Sequence, residues 1–169
     1  MSLLFLGLNL FAQNDTIKLR EISREKKNIV TDRPPQAVYF QIGGAGLLLS
    51  GVYDRRFTKR VNGPGFAVGL GYYGALGFNI ITVPVSLNYL FGRSSHFVEV
   101  AAGATYVSAS QIGLFNDESG TESGVMIHSN LGYRYQPTKG GFCFRGGFSP
   151  LFYQGESVMF YYVSFGYNF

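Results

Sequence analysis

The sequence predicts an all-β chain that folds as an eight-stranded, antiparallel, up-and-down transmembrane β-barrel. Charged residues make up only 14% of the 169 residues, against roughly 25% in an ordinary soluble domain. Aromatic residues make up 17% and there are 23 glycines, a composition that favours curved strands over helices. No apolar run approaches the ~18 residues of a transmembrane helix, so a membrane-spanning form of this chain has to be a closed barrel.

Strand periodicity supports this prediction from residue 37 onward. Apolar residues recur with a period of two, and glycine, asparagine, serine and proline interrupt them at strand-like intervals. In the third segment, for example, Phe66, Val68 and Leu70 alternate with Ala67 and Gly69. The predicted strands are residues 37–44, 46–57, 65–73, 81–91, 97–108, 124–136, 142–153 and 158–169.

Side-chain volume decides which face points outward. A soluble binding barrel of the lipocalin type would also alternate, so the pattern alone leaves that alternative open. Eight strands of Phe, Tyr, Leu and Val would overfill a small barrel, whereas small and polar residues fit its narrow lumen. The apolar faces are therefore predicted to contact lipid. Pro84 and Pro150 are expected near one rim, because proline removes a ladder hydrogen bond.

Polar and charged residues on the other face define a candidate site in the lumen. An isolated buried ion costs several kcal/mol, so charges there have to be paired. We expect a salt-bridged polar plug that holds the strand register; a narrow proton or solute path and a small-ligand site are the alternatives. The predicted cluster consists of Gln41, Asp54, Arg56, Glu99, Arg134 and Arg145.

The first 36 residues differ in character from the rest. Residues 1–13 read as a signal peptide without the usual basic start, and no cysteine marks a lipidation site. Residues 14–36 carry mixed charge and end in Pro34 and Pro35, which indicates a polar periplasmic linker. Residues 37–169 are predicted to form the barrel.

Other candidate chemistry is weak. His128 and Ser129 are neighbours and would point to opposite faces of a strand, which argues against a hydrolase pair. The chain has two histidines and one cysteine, Cys143, so we expect no metal site, no catalytic residues and no cofactor. The acidic stretch 116–120 is expected to be a solvated loop rather than a calcium site. The net charge of +4 is scattered, so no nucleic-acid partner is expected.

Charge also divides between the predicted connections. Those after odd-numbered strands contain Asp117, Glu118, Glu122 and Glu156, and those after even-numbered strands contain Lys59, Arg60, Arg93 and Lys139. Barrels in outer membranes have short periplasmic turns and longer external loops. We therefore expect the odd-numbered connections outside and the even-numbered turns in the periplasm, where basic residues would complement an anionic leaflet.

These segments together resemble the small eight-stranded outer-membrane β-barrels of the Bacteroidota type. The resemblance is carried by "VYFQIGGAGLLLSGVYDRRF", "VPVSLNYLFG", "HFVEVAAGATY", "LGYRYQPTKGGFCFRGGFSPLF" and "YYVSFGYNF". It implies Sec export, insertion by the outer-membrane assembly machinery and a place among outer-membrane lipids, and we expect a monomer. The alternating C-terminal residues resemble the signal that this machinery reads: Tyr161, Val163, Phe165, Tyr167 and Phe169.

The resemblance implies no known activity. We expect a non-enzymatic protein with a structural or partner-interaction role and a plugged lumen. The alternatives are a lipid-modifying barrel enzyme, a narrow solute or proton path, and a soluble lipocalin-like binding barrel.

Overall fold

The chain folds as a closed barrel of eight strands, which confirms the predicted fold class. The structure, a computed structural model, describes residues 30–75, 78–111 and 120–169. The predicted signal peptide and residues 14–29 of the predicted linker lie outside the described residues. In the described part, no helix is both long enough and apolar enough to cross a membrane. The strands are β1 (Gln36–Gly43), β2 (Leu49–Arg56), β3 (Gly63–Ala75), β4 (Phe78–Arg93), β5 (His96–Gln111), β6 (Gly120–Tyr135), β7 (Gly141–Tyr153) and β8 (Glu156–Asn168).

Antiparallel pairing between the first and last strands closes the ring. Val38 lies opposite Tyr167 and Gln41 lies opposite Ser164. At the chain end, the Phe169 amide donates to the Gln36 carbonyl at 2.9 Å and the Gln36 amide donates back at 3.3 Å. Because every strand has two neighbours, the barrel has no exposed sheet edge.

The apolar faces of the strands point outward, in agreement with the volume argument. Leu87 is 65% exposed, whereas its neighbours Ser86 and Asn88 are 9% and 5% exposed. Inside, a Cβ atom added to Gly166 would lie 2.0 Å from the Val38 carbonyl oxygen and 2.8 Å from the Tyr39 ring. The backbone of the neighbouring strand and the Tyr39 ring together leave no room for a side chain at this position.

Aromatic side chains concentrate near the two ends of this apolar surface. We call the end with the β1–β2, β3–β4, β5–β6 and β7–β8 connections the odd end, and the opposite end, with residues 30–35 and Phe169, the even end. Aromatic residues near the even end include Phe57, Phe66, Tyr89, Phe91, Tyr133, Phe142, Phe144, Phe165 and Tyr167. Those near the odd end include Tyr72, Tyr106, Phe148 and Tyr161, and aliphatic residues such as Val68, Val85, Val100, Leu131 and Val163 lie between. An apolar band flanked by aromatic girdles is typical of transmembrane barrels.

Strands β3 to β6 extend up to four residues beyond their predicted bounds, and the start of β2 differs for a structural reason. β2 begins at Leu49 rather than near residue 46, because Gly44–Gly46 form a 3-10 turn whose residues are all buried. We call this segment the inward turn. Gly43 and Gly44 have φ angles of 77° and 69°, a region that glycine adopts readily and other residues avoid. The alternating pattern gives no signal for a turn that folds into the lumen.

The prediction that both prolines lie near a rim is wrong for Pro84. Pro84 lies inside β4, where the β3–β4 pairing lapses between Val68↔Val85 and Gly71↔Thr82 without a change of register. Because proline has no amide hydrogen, the hydrogen-bonded pairing of β3 with β4 is interrupted locally at this point. A Cβ on Gly69 would lie 3.0 Å from Pro84 Cγ, so a glycine in the gap provides the space for the ring. Pro150 lies near the odd end of β7.

The predicted charge division is seen at the described positions, but not all of its residues lie in loops. Glu122 lies within β6 and Glu156 is the first residue of β8, whereas Asp117 and Glu118 lie outside the described residues. The predicted difference in loop length does not hold throughout. The β7–β8 turn at 154–155 is shorter than the β2–β3 connection at 57–62.

The outward direction of Val163 generates the first prediction. An arginine there would be held near the middle of the apolar band, so Val163→Arg should destabilise the barrel in lipid by about 2–4 kcal/mol. Met159→Arg is the control, because Met159 is 57% exposed, near the odd end of β8 and beyond the aromatic Tyr161; its cost should be about 0–1 kcal/mol. Urea titration of protein folded into vesicles measures both. Equal stability of Val163→Arg and the parent protein would contradict the outward assignment.

Candidate functional site

Five charged side chains meet inside the lumen. Asp54 pairs with Arg56 at 2.9 Å and with Arg134 at 2.8 Å. Glu99 pairs with Arg134 at 3.5 Å and with Arg145 at 2.6 Å. All five side chains are 0–3% exposed. They form one continuous series of ion pairs, which we call the lumen network, and they are the five charged residues that the sequence places on the lumen face.

Strand geometry explains why these residues meet. Asp54 and Arg56 are two residues apart on β2 and therefore share a face. Arg134 on β6 lies directly opposite Arg145 on β7, and like charges in that position repel each other. Glu99 on β5 compensates for this repulsion, because it bonds to both arginines.

Neutral polar side chains complete the hydrogen bonding of the lumen network. Asn88 Nδ2 donates to Asp54 Oδ2 at 2.6 Å, and the Asn88 amide oxygen accepts from Arg56. Arg134 Nε donates to Gln136 Oε1 at 2.7 Å. Asn88 lies on the predicted lumen face, so its position could be inferred from the sequence. Its partner could not, because contacts across a barrel depend on the stagger of the strands.

Tyr39 packs against two arginines of the lumen network. The guanidinium carbons of Arg134 and Arg145 lie 5.1 and 5.0 Å from the centre of its ring. Arg145 also lies 5.6 Å from the centre of the Tyr162 ring. These distances are within the range of cation–π attraction. The sequence places Tyr39 on the polar face of β1 but gives no sign of this role.

Gln41, the sixth residue of the predicted cluster, lies in the lumen but outside the lumen network. It is 5% exposed. Its side-chain oxygen accepts a hydrogen bond from Ser164 Oγ at 3.1 Å, and its side-chain nitrogen donates to the Gly43 carbonyl at 3.1 Å. Gln41 therefore supports the start of the inward turn instead of pairing with an arginine.

Both ends of the lumen are occupied. At the odd end, Thr82 Oγ1 donates to the Gly46 carbonyl at 3.0 Å and Thr105 Oγ1 donates to the Ala45 carbonyl at 2.9 Å. These bonds hold the inward turn across the lumen. At the even end, an apolar cluster of Val61, Leu90 and Phe97 is 0–2% exposed. The lumen network lies between the inward turn and this apolar cluster.

A small polar cavity lies between the lumen network and the inward turn. Its volume is about 20 Å³ and its lining includes Gln41, His128, Asn130 and Arg145. Arg145 Nη1, His128 Nε2 and Asn130 Oδ1 have no hydrogen-bond partner within the described protein. A polar cavity of this size has room for one water molecule.

The structure does not bring His128 and Ser129 together as a catalytic pair. His128 is 1% exposed and its Nδ1 lies 3.0 Å from Thr105 Oγ1. Ser129 follows it on the strand and so points to the other face of the wall. Among residues 30–75, 78–111 and 120–169, no group of three His, Cys, Asp or Glu side chains could hold a metal ion.

An apolar pocket of about 260 Å³ opens at the odd end. It lies between the inward turn, the ends of β3 and β4, and β8. Leu47 and Leu48 line it from the β1–β2 connection, and Leu48 is 44% exposed. Other lining residues are Tyr72, Tyr73, Ile80 and Phe160.

The predicted C-terminal signal residues lie on the outer face of β8 and at the chain end. They are exposed to the following extents: Tyr161 69%, Val163 40%, Phe165 45%, Tyr167 61% and Phe169 44%. The side chains between them, Tyr162 and Ser164, are 2% and 0% exposed and face the lumen. A protein that binds this segment of the folded barrel would therefore contact its outward-facing side chains.

The fold is shared with solved barrels of outer-membrane proteins. The N-terminal β-barrel domain of OprF from Pseudomonas aeruginosa superposes with a TM-score of 0.61 at 15% identity, over 82% of this chain and 98% of that chain. The crystal structure of Ail, the attachment invasion locus protein of Yersinia pestis, gives 0.51 at 15% identity, over 80% and 97%. Ail in a phospholipid bilayer nanodisc, described as an outer membrane protein, gives 0.52 at 12% identity, over 80% and 98%.

No family model matches the sequence, and no curated protein matches it. At 12–15% identity the similarity to OprF and Ail defines the class of fold, the small closed barrel of outer-membrane proteins, and nothing finer. The resemblance to barrels of the Bacteroidota type stays a prediction.

The lumen network generates the second prediction. Glu99→Gln removes the carboxylate that bonds Arg134 and Arg145 and leaves a buried guanidinium without its partner. The free energy of unfolding should fall by about 3–5 kcal/mol. Glu156→Gln neutralises an exposed carboxylate and should change it by less than about 0.5 kcal/mol. Equilibrium unfolding in lipid vesicles measures both variants, and an unchanged Glu99→Gln would show that the pairing contributes nothing.

Proposed function

We propose that this chain is an outer-membrane β-barrel protein with a closed lumen, and that its role is structural or depends on contacts at its surface. The observation that carries this proposal is the lumen network, in which three arginines and two carboxylates at 0–3% exposure bridge four strands. A lumen filled in this way supports the wall and leaves no wide aqueous channel.

The outer surface supports the membrane location. Large apolar side chains such as Leu70 and Tyr161 are 63% and 69% exposed, and they form a continuous band around the barrel. Soluble monomers rarely expose contiguous apolar patches above a few hundred Å². Lipid is the environment in which such a band is stable, which favours the transmembrane reading over a soluble lipocalin-like barrel.

We further propose that the protein is exported through its first 13 residues and inserted by the outer-membrane assembly machinery, which would read the outward C-terminal residues up to Phe169. The exposure of these side chains supports that reading. We propose no enzymatic activity, because His128 and Ser129, the pair considered for catalysis, point to opposite faces of β6.

Conductance tests the closed lumen, as the third prediction. Protein reconstituted into planar bilayers should give no steady current steps, because side chains fill the interior of a barrel of this size. A porin of about 16 strands in the same bilayer is the positive control. Reproducible steps from the parent protein would overturn the closed lumen and favour a narrow solute or proton path.

A surface-interaction role would use the odd end, where the apolar pocket lies. This requires the odd end to face the cell exterior, with both chain termini of the barrel in the periplasm. The acidic residues Glu122 and Glu156 and the exposed Leu48 would then be at the cell surface.

Cysteine labelling tests this orientation, as the fourth prediction. Cys143 is 0% exposed, so the native thiol provides a silent background. Leu48→Cys should react with a membrane-impermeant maleimide on intact cells. Lys59→Cys, in the β2–β3 connection at the even end, should react only after the outer membrane is permeabilised. The reverse pattern would invert the orientation, and labelling of both in a soluble periplasmic fraction would overturn the membrane location.

A further inference from the structure

The even end carries an excess of exposed basic side chains. Six basic residues lie there against one acidic residue, Asp32, among the described residues. At the odd end the described residues include Glu122 and Glu156 and no lysine or arginine. We call the basic set the basic rim: Arg33, Arg55, Lys59, Arg60, Arg93 and Lys139, all of them exposed.

Arg55 differs from the rest of the basic rim because a neighbouring strand pairs with it on each side, whereas Arg93 is the last residue of β4 and pairs on one side only. Its neighbours Asp54 and Arg56 are 1% exposed and belong to the lumen network. Strand alternation therefore directs Arg55 to the outer, lipid-facing surface. It is the penultimate residue of β2 and lies opposite Gln36 and Phe66.

The surroundings of Arg55 on this outer surface are aromatic. Phe66 lies directly opposite it on β3. The Phe66 ring contacts Tyr53 with centroids 6.2 Å apart and stacks on Phe57 at 5.8 Å, and these two residues flank Arg55 along the chain. Tyrosine and phenylalanine in such a girdle mark the level of the lipid headgroups.

The chemistry of this position selects a phosphate. A guanidinium at headgroup level meets lipid phosphates, with which it forms charge-assisted, bidentate hydrogen bonds. Within the described residues, Arg55 makes no ion pair or side-chain hydrogen bond that would compete for its guanidinium. Lys59 and Arg60 follow in the adjacent connection and extend the same positive field beyond the wall.

We propose that the even end binds anionic phospholipid headgroups, with Arg55 as the residue that contacts a lipid phosphate and with the rest of the basic rim strengthening the attraction. This inference rests on the proposed membrane location. It commits to a lipid phosphate, rather than to free phosphate or to a periplasmic protein.

The test compares stability in vesicles of different charge. The full barrel is folded into vesicles of phosphatidylcholine alone and into vesicles with about one third phosphatidylglycerol, a strongly anionic surface. Urea titration with heat-modifiable gel mobility as readout then gives the folding equilibrium. The equilibrium constant of the parent protein should rise several-fold in the anionic vesicles, by about fivefold for each basic residue that contributes fully. The rise should shrink at high salt.

Single substitutions test whether Arg55 produces the gain in the folding equilibrium in anionic vesicles. Arg55→Gln should lose about fivefold of the gain, and Arg55→Lys should retain part of it because it keeps the charge without the bidentate geometry. Lys139→Gln is the matched control: it removes one exposed positive charge from a turn rather than from the wall, and it should lose less than Arg55→Gln. Inorganic phosphate added to phosphatidylcholine vesicles should not reproduce the gain.

The outcomes separate this inference from the proposed function. If the parent protein folds equally well in both vesicles, or if Arg55→Gln keeps the full gain, the site for an anionic headgroup is overturned while the barrel stands. A gain from free phosphate alone would replace the lipid with a soluble anion and overturn this proposal. Failure to fold in either vesicle would overturn the membrane location as well.

Discussion

The ion pairs of Asp54 and Glu99 across the lumen are the interactions on which the rest of the structure depends. A charge taken out of water is tolerated only with a partner of opposite charge. Arg134 lies opposite Arg145 on adjacent strands, so neither arginine could occupy the lumen unless a carboxylate came from elsewhere in the ring. Glu99 and Asp54 arrive from β5 and β2. Two of the pairs, Asp54–Arg134 and Glu99–Arg145, therefore connect strands that share no backbone hydrogen bonds. A slip of one residue in any of these strands would put its charge into lipid.

The narrowness of the lumen explains the inverted arrangement of large and small residues. Gly166 has no room for a Cβ atom, because both the Val38 carbonyl oxygen and the Tyr39 ring would lie within 3 Å of it. Large side chains in every strand could not share that space, and they lie outside. The same restriction makes the few large inward residues important, since Tyr39 provides the aromatic surface on which Arg134 and Arg145 stack.

The sequence predicts the strands and their inner and outer faces well. It predicts the contacts inside the lumen poorly, for a physical reason. Period-two alternation determines which face of a strand Asp54, Glu99 or Arg145 occupies, and the structure places all three inside. Alternation does not determine which strands face each other across the barrel, so the bonds of Asn88 to Asp54 and Arg56 could not be predicted. The glycines at 43, 44 and 46 predict a turn there, but they do not predict that it folds into the lumen, because its buried groups are backbone carbonyls, which carry no sequence pattern.

The apolar cluster at the even end shows the same limit. Val61 lies in a connection between strands, where polar residues are expected, and it is buried against Leu90 and Phe97. Nothing in its neighbours marks it as part of an interior. Its burial follows from the path of the β2–β3 connection over the lumen, which is a property of the closed ring rather than of a segment.

The height of the wall differs around the odd end. Residues 78–81, 106–111 and 120–127 of β4, β5 and β6 continue past the threonines that hold the inward turn, whereas β1 ends at Gly43 and β2 begins at Leu49. The wall of the barrel at the odd end is therefore higher on the side of β4, β5 and β6 than on the side of β1 and β2. A molecule that moves along the membrane plane can reach Leu47 and Leu48 from the low side formed by β1 and β2. From the opposite side, the longer strands β4, β5 and β6 block its approach. Access to this end of the protein is thus directional, and the direction is set by strand length alone.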